Sequence, residues 1–266
     1  AGSRYFEMYI AEQNAVGVAV GLARRNKKPV IASFAAFWTR AFDQIRMAQY
    51  ARVPLLIAGT HSGISVGEDG TSQMGLEDVA MFRSLRESLV VCPADGMAAM
   101  KLTENLIREK GIKYLRLFRS PVETIYGEEE YFQIGKCKML KASDRDQAVV
   151  IASGICVHEA LKAFEKLNQE NVIIRIIDLY SIKPFDEEKV WESAVFCKNV
   201  IVVEDHYEAG GVGEGVGILL AKKGFGGKFE HLCVRVEPHS GRMDELLKIA
   251  RIDSEAIINA VKKIIK

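Results

Sequence analysis

The 266-residue chain reads as an α/β protein: two consecutive three-layer α/β/α domains, each with a mostly parallel sheet. Three observations predict this. Apolar runs of strand length alternate with longer stretches of helical spacing. The rhythm breaks once, over Ser120–Lys138, where Pro121, the acidic run Glu128–Glu130 and few apolar residues mark a linker. It then restarts, and the length suits two domains at roughly 100–200 residues each. The boundary falls near residue 135, giving units 1–134 and 135–266.

In the first unit, Pro29–Phe34, Pro54–Ala58, Leu89–Cys92 and Tyr114–Phe118 read as strands. Asn14–Arg25, Ala41–Ala51, Gly75–Arg83 and Ala94–Lys110 carry helical spacing. In the second, Gln147–Ser153, Val172–Asp178, Asn199–Val203 and His231–Val236 read as strands. Val157–Asn168, Phe185–Ser193 and Gly213–Lys222 read as helices. A last helix over Asp253–Lys266 has apolar residues at 257, 258, 261, 264 and 265 and lysines at its tail, which suits the helix dipole. The halves share an architecture but no sequence period.

Composition excludes several classes. The chain is 48% hydrophobic and 27% charged, an ordinary globular balance. A net charge of +1 carries no electrostatic footprint for nucleic acid or an anionic membrane. No apolar run approaches the roughly 20 residues of a membrane span. Ala1-Gly2-Ser3 reads as an expression remnant ahead of Arg4, not as a signal peptide. The five cysteines, at 92, 137, 156, 197 and 233, form no C-x-x-C pair and sit mostly in apolar context. They read as reduced, buried thiols of a reducing, cytoplasmic compartment. The five histidines show no metal-ligand spacing with them, so no metal-binding residue is expected.

Ligands of open α/β sheets bind at the carboxyl ends of strands, and five polar segments are candidates there. Glu12, in IAEQN, is either a helix N-terminal acid or a buried carboxyl sharing a proton with a ligand nitrogen, its neutral form favoured by apolar neighbours. Phe34, Phe37, Trp38 and Phe42 crowd one strand-to-helix junction, as core filling or as a stacking slot for a planar heterocycle, with Arg40 one turn along the same face. The loop Thr60–Gln73 is either a surface turn or a polyol grip through His61, Asp69 and Gln73, its glycines letting backbone approach a ligand. Arg119 ends an alternating strand, exposed or as a phosphate fork. In Val202–Gly215, the GGVGEG run lacks nucleotide-loop spacing and reads as a tight turn with close helix–sheet packing. His206 reads as a subunit-interface or site-mouth residue.

Taken in order, IAEQN, FAAFWTRAFDQIRMA, GISVGEDG-x-SQM-x-LED and VEDHYEAGGVGE closely resemble transketolase, nearest its animal-like branch, from Arg4 to the last helix. The resemblance implies a pyrimidine-binding domain followed by a C-terminal α/β domain, with thiamine diphosphate as cofactor. It implies that Glu12 meets N1′ of the aminopyrimidine, and that Phe34, Phe37 and Arg40 line the pyrimidine pocket. His61 and Arg119 match phosphate ligands of the substrate, and Asp69 matches the residue that reads its C2 hydroxyl. Gln73 stands where many microbial relatives carry histidine, so a histidine proton-transfer role does not carry over, although glutamine can still hold a hydroxyl near the reacting carbons. The implied reaction moves a two-carbon ketol unit from a ketose phosphate to an aldose phosphate, in the pentose phosphate pathway. Sharing a proton between Glu12 and N1′ favours the imino tautomer that removes the thiazolium proton.

The family's GDG motif with its downstream asparagine pair, which holds Mg²⁺ or Ca²⁺ and the diphosphate, has no counterpart in the chain. The family's serine- and arginine-bearing segment ahead of Arg4 and its first pyrimidine-domain strand have none either. The resemblance therefore implies an N-terminal transketolase subunit or domain as partner, alongside a second copy of this chain. The preferred reading is an enzyme encoded as two subunits, a heterotetramer; the other is a fragment of a longer chain. Two further readings stand beside it: the β subunit of a 2-oxoacid dehydrogenase or a piece of a deoxyxylulose-phosphate synthase, and a non-catalytic assembly subunit. GEDG-x-SQM argues against the first, and retention of Glu12, His61, Asp69 and Arg119 against the second.

Overall fold

Alternation becomes two five-stranded sheets in the computed structural model, which describes residues 4–266 and leaves Ala1–Ser3 outside it. The first half contains α1 (Glu12–Arg24), β1 (Val30–Phe34), α2 (Phe42–Tyr50), β2 (Leu55–Thr60), α3 (Asp78–Ser84), β3 (Ser88–Val91), α4 (Gly96–Leu106) and β4 (Ile112–Arg116). Next come β5 (Lys138–Lys141), β6 (Ala148–Ala152), α5 (Cys156–Gln169), β7 (Ile174–Asp178), β8 (Ser181–Lys183) and α6 (Glu187–Cys197). The chain continues through β9 (Asn199–Tyr207), α7 (Val212–Lys222), β10 (Lys228–Val234), α8 (Met243–Ile249) and α9 (Ser254–Ile264).

The first sheet has the order β1-β2-β4-β3-β8 and the second β10-β9-β6-β7-β5. All pairings are parallel except β3 with β8 and β7 with β5, which are antiparallel edges. Strands covered on both faces become uniformly apolar. All five residues of β6, AVVIA, are accordingly buried, as are the first five of β2. In α1, Ala15, Val16, Ala19 and Ala23 form the buried stripe. The Asp95 carboxylate caps α4 by accepting from Ala98 N at 2.7 Å, and Asp253 caps α9 in the same way.

The structure departs from the sequence expectations in four places. β5 starts at the last residue of the expected linker and was not expected as a strand, and neither was β8. Both have three or four residues and sit at edges, so neither carries the apolar run of a central strand. β8 belongs to the second half by sequence yet closes the first sheet, opposite Val90 and Val91. The segment ahead of β5 is no loose tether, because Tyr126 and Phe132 are buried and Phe132 packs edge-on with both Tyr126 and Tyr180. Asp95 fixes it further by accepting from Ile125 N and Tyr126 N. Ala35–Ala41 is a 3₁₀ turn where a helix was expected only from Ala41, and α8 lies in a stretch for which no element was expected.

Each hydrophobic cluster includes residues from both halves. One joins Leu56, Val91 and Leu115 to Val150, Val203 and Val261; the other joins Val16, Trp38 and Ile57 to Val149, Val202 and Val216. The halves therefore bury apolar surface of one another.

Candidate active site

Glu12 opens α1 and is 7% exposed. Ser33 Oγ donates to its carboxylate at 3.3 Å, and Arg40 Nη1 reaches both oxygens at 3.2 and 3.3 Å. The Glu12 carboxyl group is thus held by two polar side chains, Ser33 and Arg40, beside its apolar sequence neighbours. The arginine arrives because the turn after β1 is 3₁₀, with about three residues per turn, which eclipses positions three apart. Phe34, Phe37 and Arg40 thus share one face. The two phenyl rings stack with centroids 5.2 Å apart and planes 8° from parallel, and the guanidinium lies 4.4 Å from the Phe37 centroid. Trp38 turns inward instead, into the core, and donates its indole N–H to Ala58 O at 3.0 Å. The aromatic junction is both core and half-buried stack, divided residue by residue.

His61 extends that stack, its ring centroid 3.7 Å from Phe34. It follows β2 with φ of 53°, and its Nδ1 meets Thr60 Oγ1 at 3.0 Å. Burial, then the positive charge of Arg119, hold its imidazole below the ordinary value, so it is neutral at pH 7. Beyond it the loop makes two short 3₁₀ turns, Ile64–Asp69 and Thr71–Gln73. Arg119 Nη1 donates to Asp69 Oδ1 at 2.7 Å. Gln73 is half-buried at the loop's end, its Oε1 accepting from Ser72 Oγ at 2.5 Å.

The loop's glycines let its backbone approach the second half of the chain closely. Gly63 has φ of 74°, and a Cβ there would overlap the Asp205 carboxylate. That carboxylate accepts from Ile64 N at 2.8 Å and Ser65 N at 3.4 Å. Gly67 and Gly70 face Gly241 O and Ser240 Oγ, and Thr71 Oγ1 donates to Pro238 O. The backbone's close approach is to the second half of the same chain. Ile64–Gly67 is buried, not the surface turn its composition suggested.

Sequence reasoning missed the buried polar groups that hold this loop. Arg116 donates to Asp78 at 2.8 Å, Gly75 O at 3.0 Å and Asp205 O at 2.8 Å, while Tyr114 Oη donates to Asp78 at 2.6 Å. His206 is 1% exposed, so it is neither a surface nor a site-mouth residue. Its Nδ1–H donates to Tyr207 O at 2.6 Å and its Nε2 accepts from Ala80 N at 3.4 Å. The available signal was three ionisable residues in succession, Glu204-Asp205-His206, closing an apolar strand. Glu204 accepts from Val212 N and Gly213 N at 2.7 and 2.8 Å, so the glycine-rich run wraps this carboxylate as a helix N-terminus. Burial opposes its ionisation, but the His231 hydrogen bond and nearby imidazoles hold it below the ordinary carboxylate range.

No described helix is long and apolar enough to cross a membrane, and all five cysteines are free. Two family models match the chain: the transketolase pyrimidine-binding domain over residues 1–124 and the transketolase C-terminal domain over residues 135–257. Human transketolase is 46% identical over 264 residues, covering 98% of this chain and 42% of the human protein. The chain thus spans less than half the length of the curated relatives it matches. A split-gene transketolase, solved as an inactive β4 tetramer, superposes with a TM-score of 0.88 at 31% identity, covering 98% of this chain and 84% of that one. Transketolase from Campylobacter jejuni shares the fold, with a TM-score of 0.78 at 19% identity, covering 97% of this chain and 39% of that one.

Proposed function

Because the chain belongs to the transketolase family, we propose that it is the C-terminal part of a transketolase, active only with an N-terminal partner that holds the diphosphate. The observation that carries this reading is the stack His61–Phe34–Phe37 joined through Arg40 to the buried Glu12 carboxylate. Parallel aromatic faces beside a carboxylate suit a planar, basic heterocycle such as an aminopyrimidine. Thiamine diphosphate, when bound, supplies the acidic carbon and the electron sink for breaking a carbon–carbon bond.

In this reading, Glu12 shares a proton with the pyrimidine ring, and Phe34 and Phe37 orient that ring. Arg40 and Ser33 hold the Glu12 carboxylate in place. Arg119 and neutral His61 hold the phosphate end of a sugar phosphate. Asp69 and Gln73 hold its hydroxyls, nearer the reacting carbons. A phosphate competes with Asp69 for Arg119, since the two side chains pair in this chain. In this reading the divalent metal and the diphosphate are held by the partner, because the family's GDG motif with its downstream asparagine pair has no counterpart in this sequence. An apolar strip just before Glu12 supports coverage by another polypeptide, with Tyr5, Phe6, Tyr9 and Ile10 between 58% and 87% exposed. A reducing, cytoplasmic setting is part of the proposal and rests on the five free thiols.

Substituting Glu12→Gln in the reconstituted enzyme tests the proton-sharing role. Ketol transfer should fall by about 10²–10⁴-fold, the usual worth of a positioned acid or base. The melting midpoint should stay close to that of the unaltered enzyme. Near-normal turnover would remove Glu12 from the chemistry and favour a non-catalytic assembly role.

A further inference from the structure

Away from that stack, we propose that Glu208, His231 and Cys233 form a binding site for a thiophilic divalent cation such as Zn²⁺. One ligand atom from each lies within 4.8 Å of the other two. The site is independent of the catalytic reading, because all three residues belong to the second half and none was assigned there. Sequence spacing gave no metal set, yet His231 and Cys233 lie two residues apart on β10, whose pairing with β9 shifts register between Leu232 and Val234. Glu208 joins them from the end of the neighbouring strand β9.

The imidazole is already oriented for a metal. Glu204, whose side chain is 2% exposed, accepts from His231 Nε2–H at 2.7 Å. That fixes the tautomer and leaves the Nδ1 lone pair facing Glu208 Oε1 at 4.0 Å. A carboxylate behind a histidine is the usual outer partner of a zinc-bound imidazole, where it raises ligand basicity. Gly213 permits this placement, since a Cβ there would overlap the His231 ring. A surface depression lined by Glu208, Gly213, Glu214, Gly217, Phe229 and His231 opens beside two of the three ligands, with Cys233 buried behind them.

Imidazole, thiolate and carboxylate with water in the fourth position make a zinc-type set, at about 2.0–2.3 Å from the ion. Glu208, 60% exposed, can turn inward once it exchanges its pairing with Arg235 for the ion. Burial pushes the Cys233 thiol up to about 12. Coordination therefore forms the Cys233–metal bond with release of the thiol proton to buffer, without oxidation. Arg235 is the competitor, donating to Glu208 Oε1 at 2.7 Å and Oε2 at 3.2 Å.

The test is Co²⁺ and Zn²⁺ titration of the tag-free full chain in oxygen-free buffer. One Co²⁺ should bind per chain with a thiolate-to-cobalt charge-transfer band, and Zn²⁺ should displace it. Cys233→Ser should abolish the band. Glu208→Gln, an exposed change that leaves the fold intact, should weaken Zn²⁺ by about tenfold or more, as loss of even an outer partner does. Arg235→Gln should tighten binding by about two- to fivefold, the worth of an exposed ion pair. Absence of saturable one-to-one binding overturns the proposal. So does binding without a sulfur band, or affinity unmoved by Glu208→Gln.

Discussion

Arg119 and Asp69 lean on each other across 2.7 Å, and both are partly exposed, so a phosphate can exchange for the carboxylate at little cost. Arg119→Ala in the reconstituted enzyme should raise KM for a phosphorylated acceptor about ten- to hundredfold, the range of a charged hydrogen bond. An unphosphorylated acceptor should change little. Equal losses for both would make Arg119 structural. Arg119→Lys should restore only part, because an ammonium lacks the planar fork. A second residue-scale prediction concerns Asp178, which is fully buried, accepts from Tyr126 Oη at 2.5 Å and leaves Oδ1 without a partner. Burial first, opposed by that hydroxyl and aided by Asp95, raises its carboxyl to about 7. A carboxyl raised above its unfolded value binds more protons folded than unfolded, so its contribution to stability is lost as pH climbs from about 4 to about 7. Asp178→Asn should remove that slope and stabilise the chain at pH 8 by on the order of 1–4 kcal/mol. Denaturation midpoints at pH 5 and pH 8 measure it; an unchanged pH dependence contradicts the assignment. Glu12, Phe34, Phe37 and Arg40 were legible because one turn and one helix start bring them together. Asp205 was not, because its partners Ile64 and Ser65 lie 141 and 140 residues away in sequence.

At the level of elements, patterning revealed the central strands and the amphipathic helices, whose burial sets their periodicity. It failed at β5, β8 and α8, which are short and owe their form to neighbours rather than to their own apolar content. The loop between β2 and α3 makes the same point. Its polar composition suggested solvent, yet the second half of the chain covers it and Asp205 bonds its first turn. Gly63→Ala tests that coupling. The left-handed backbone and the overlap with Asp205 should together cost about 2–4 kcal/mol. The melting midpoint should fall, and KM for sugar phosphates should rise in the reconstituted enzyme as His61 and Asp69 are displaced. An unchanged midpoint would mean the loop does not rest on Asp205 as described.

Across the whole molecule, two sheets share both hydrophobic clusters, β8 crosses into the first sheet, and Arg116 ties β4 to Asp205 at the end of β9. This frame carries, on one side, an aromatic stack, the buried Glu12 carboxyl group and the Arg119–Asp69 pair. The proposed function makes that side half of an active centre whose diphosphate and metal ligands lie on another polypeptide. The direct test is turnover of a ketose phosphate with an aldose phosphate acceptor, with thiamine diphosphate and Mg²⁺ present, by the purified chain alone and after adding the N-terminal half of a transketolase. The account predicts no ketol transfer by the chain alone and transfer once the N-terminal half is added; sustained turnover by the chain alone would contradict it.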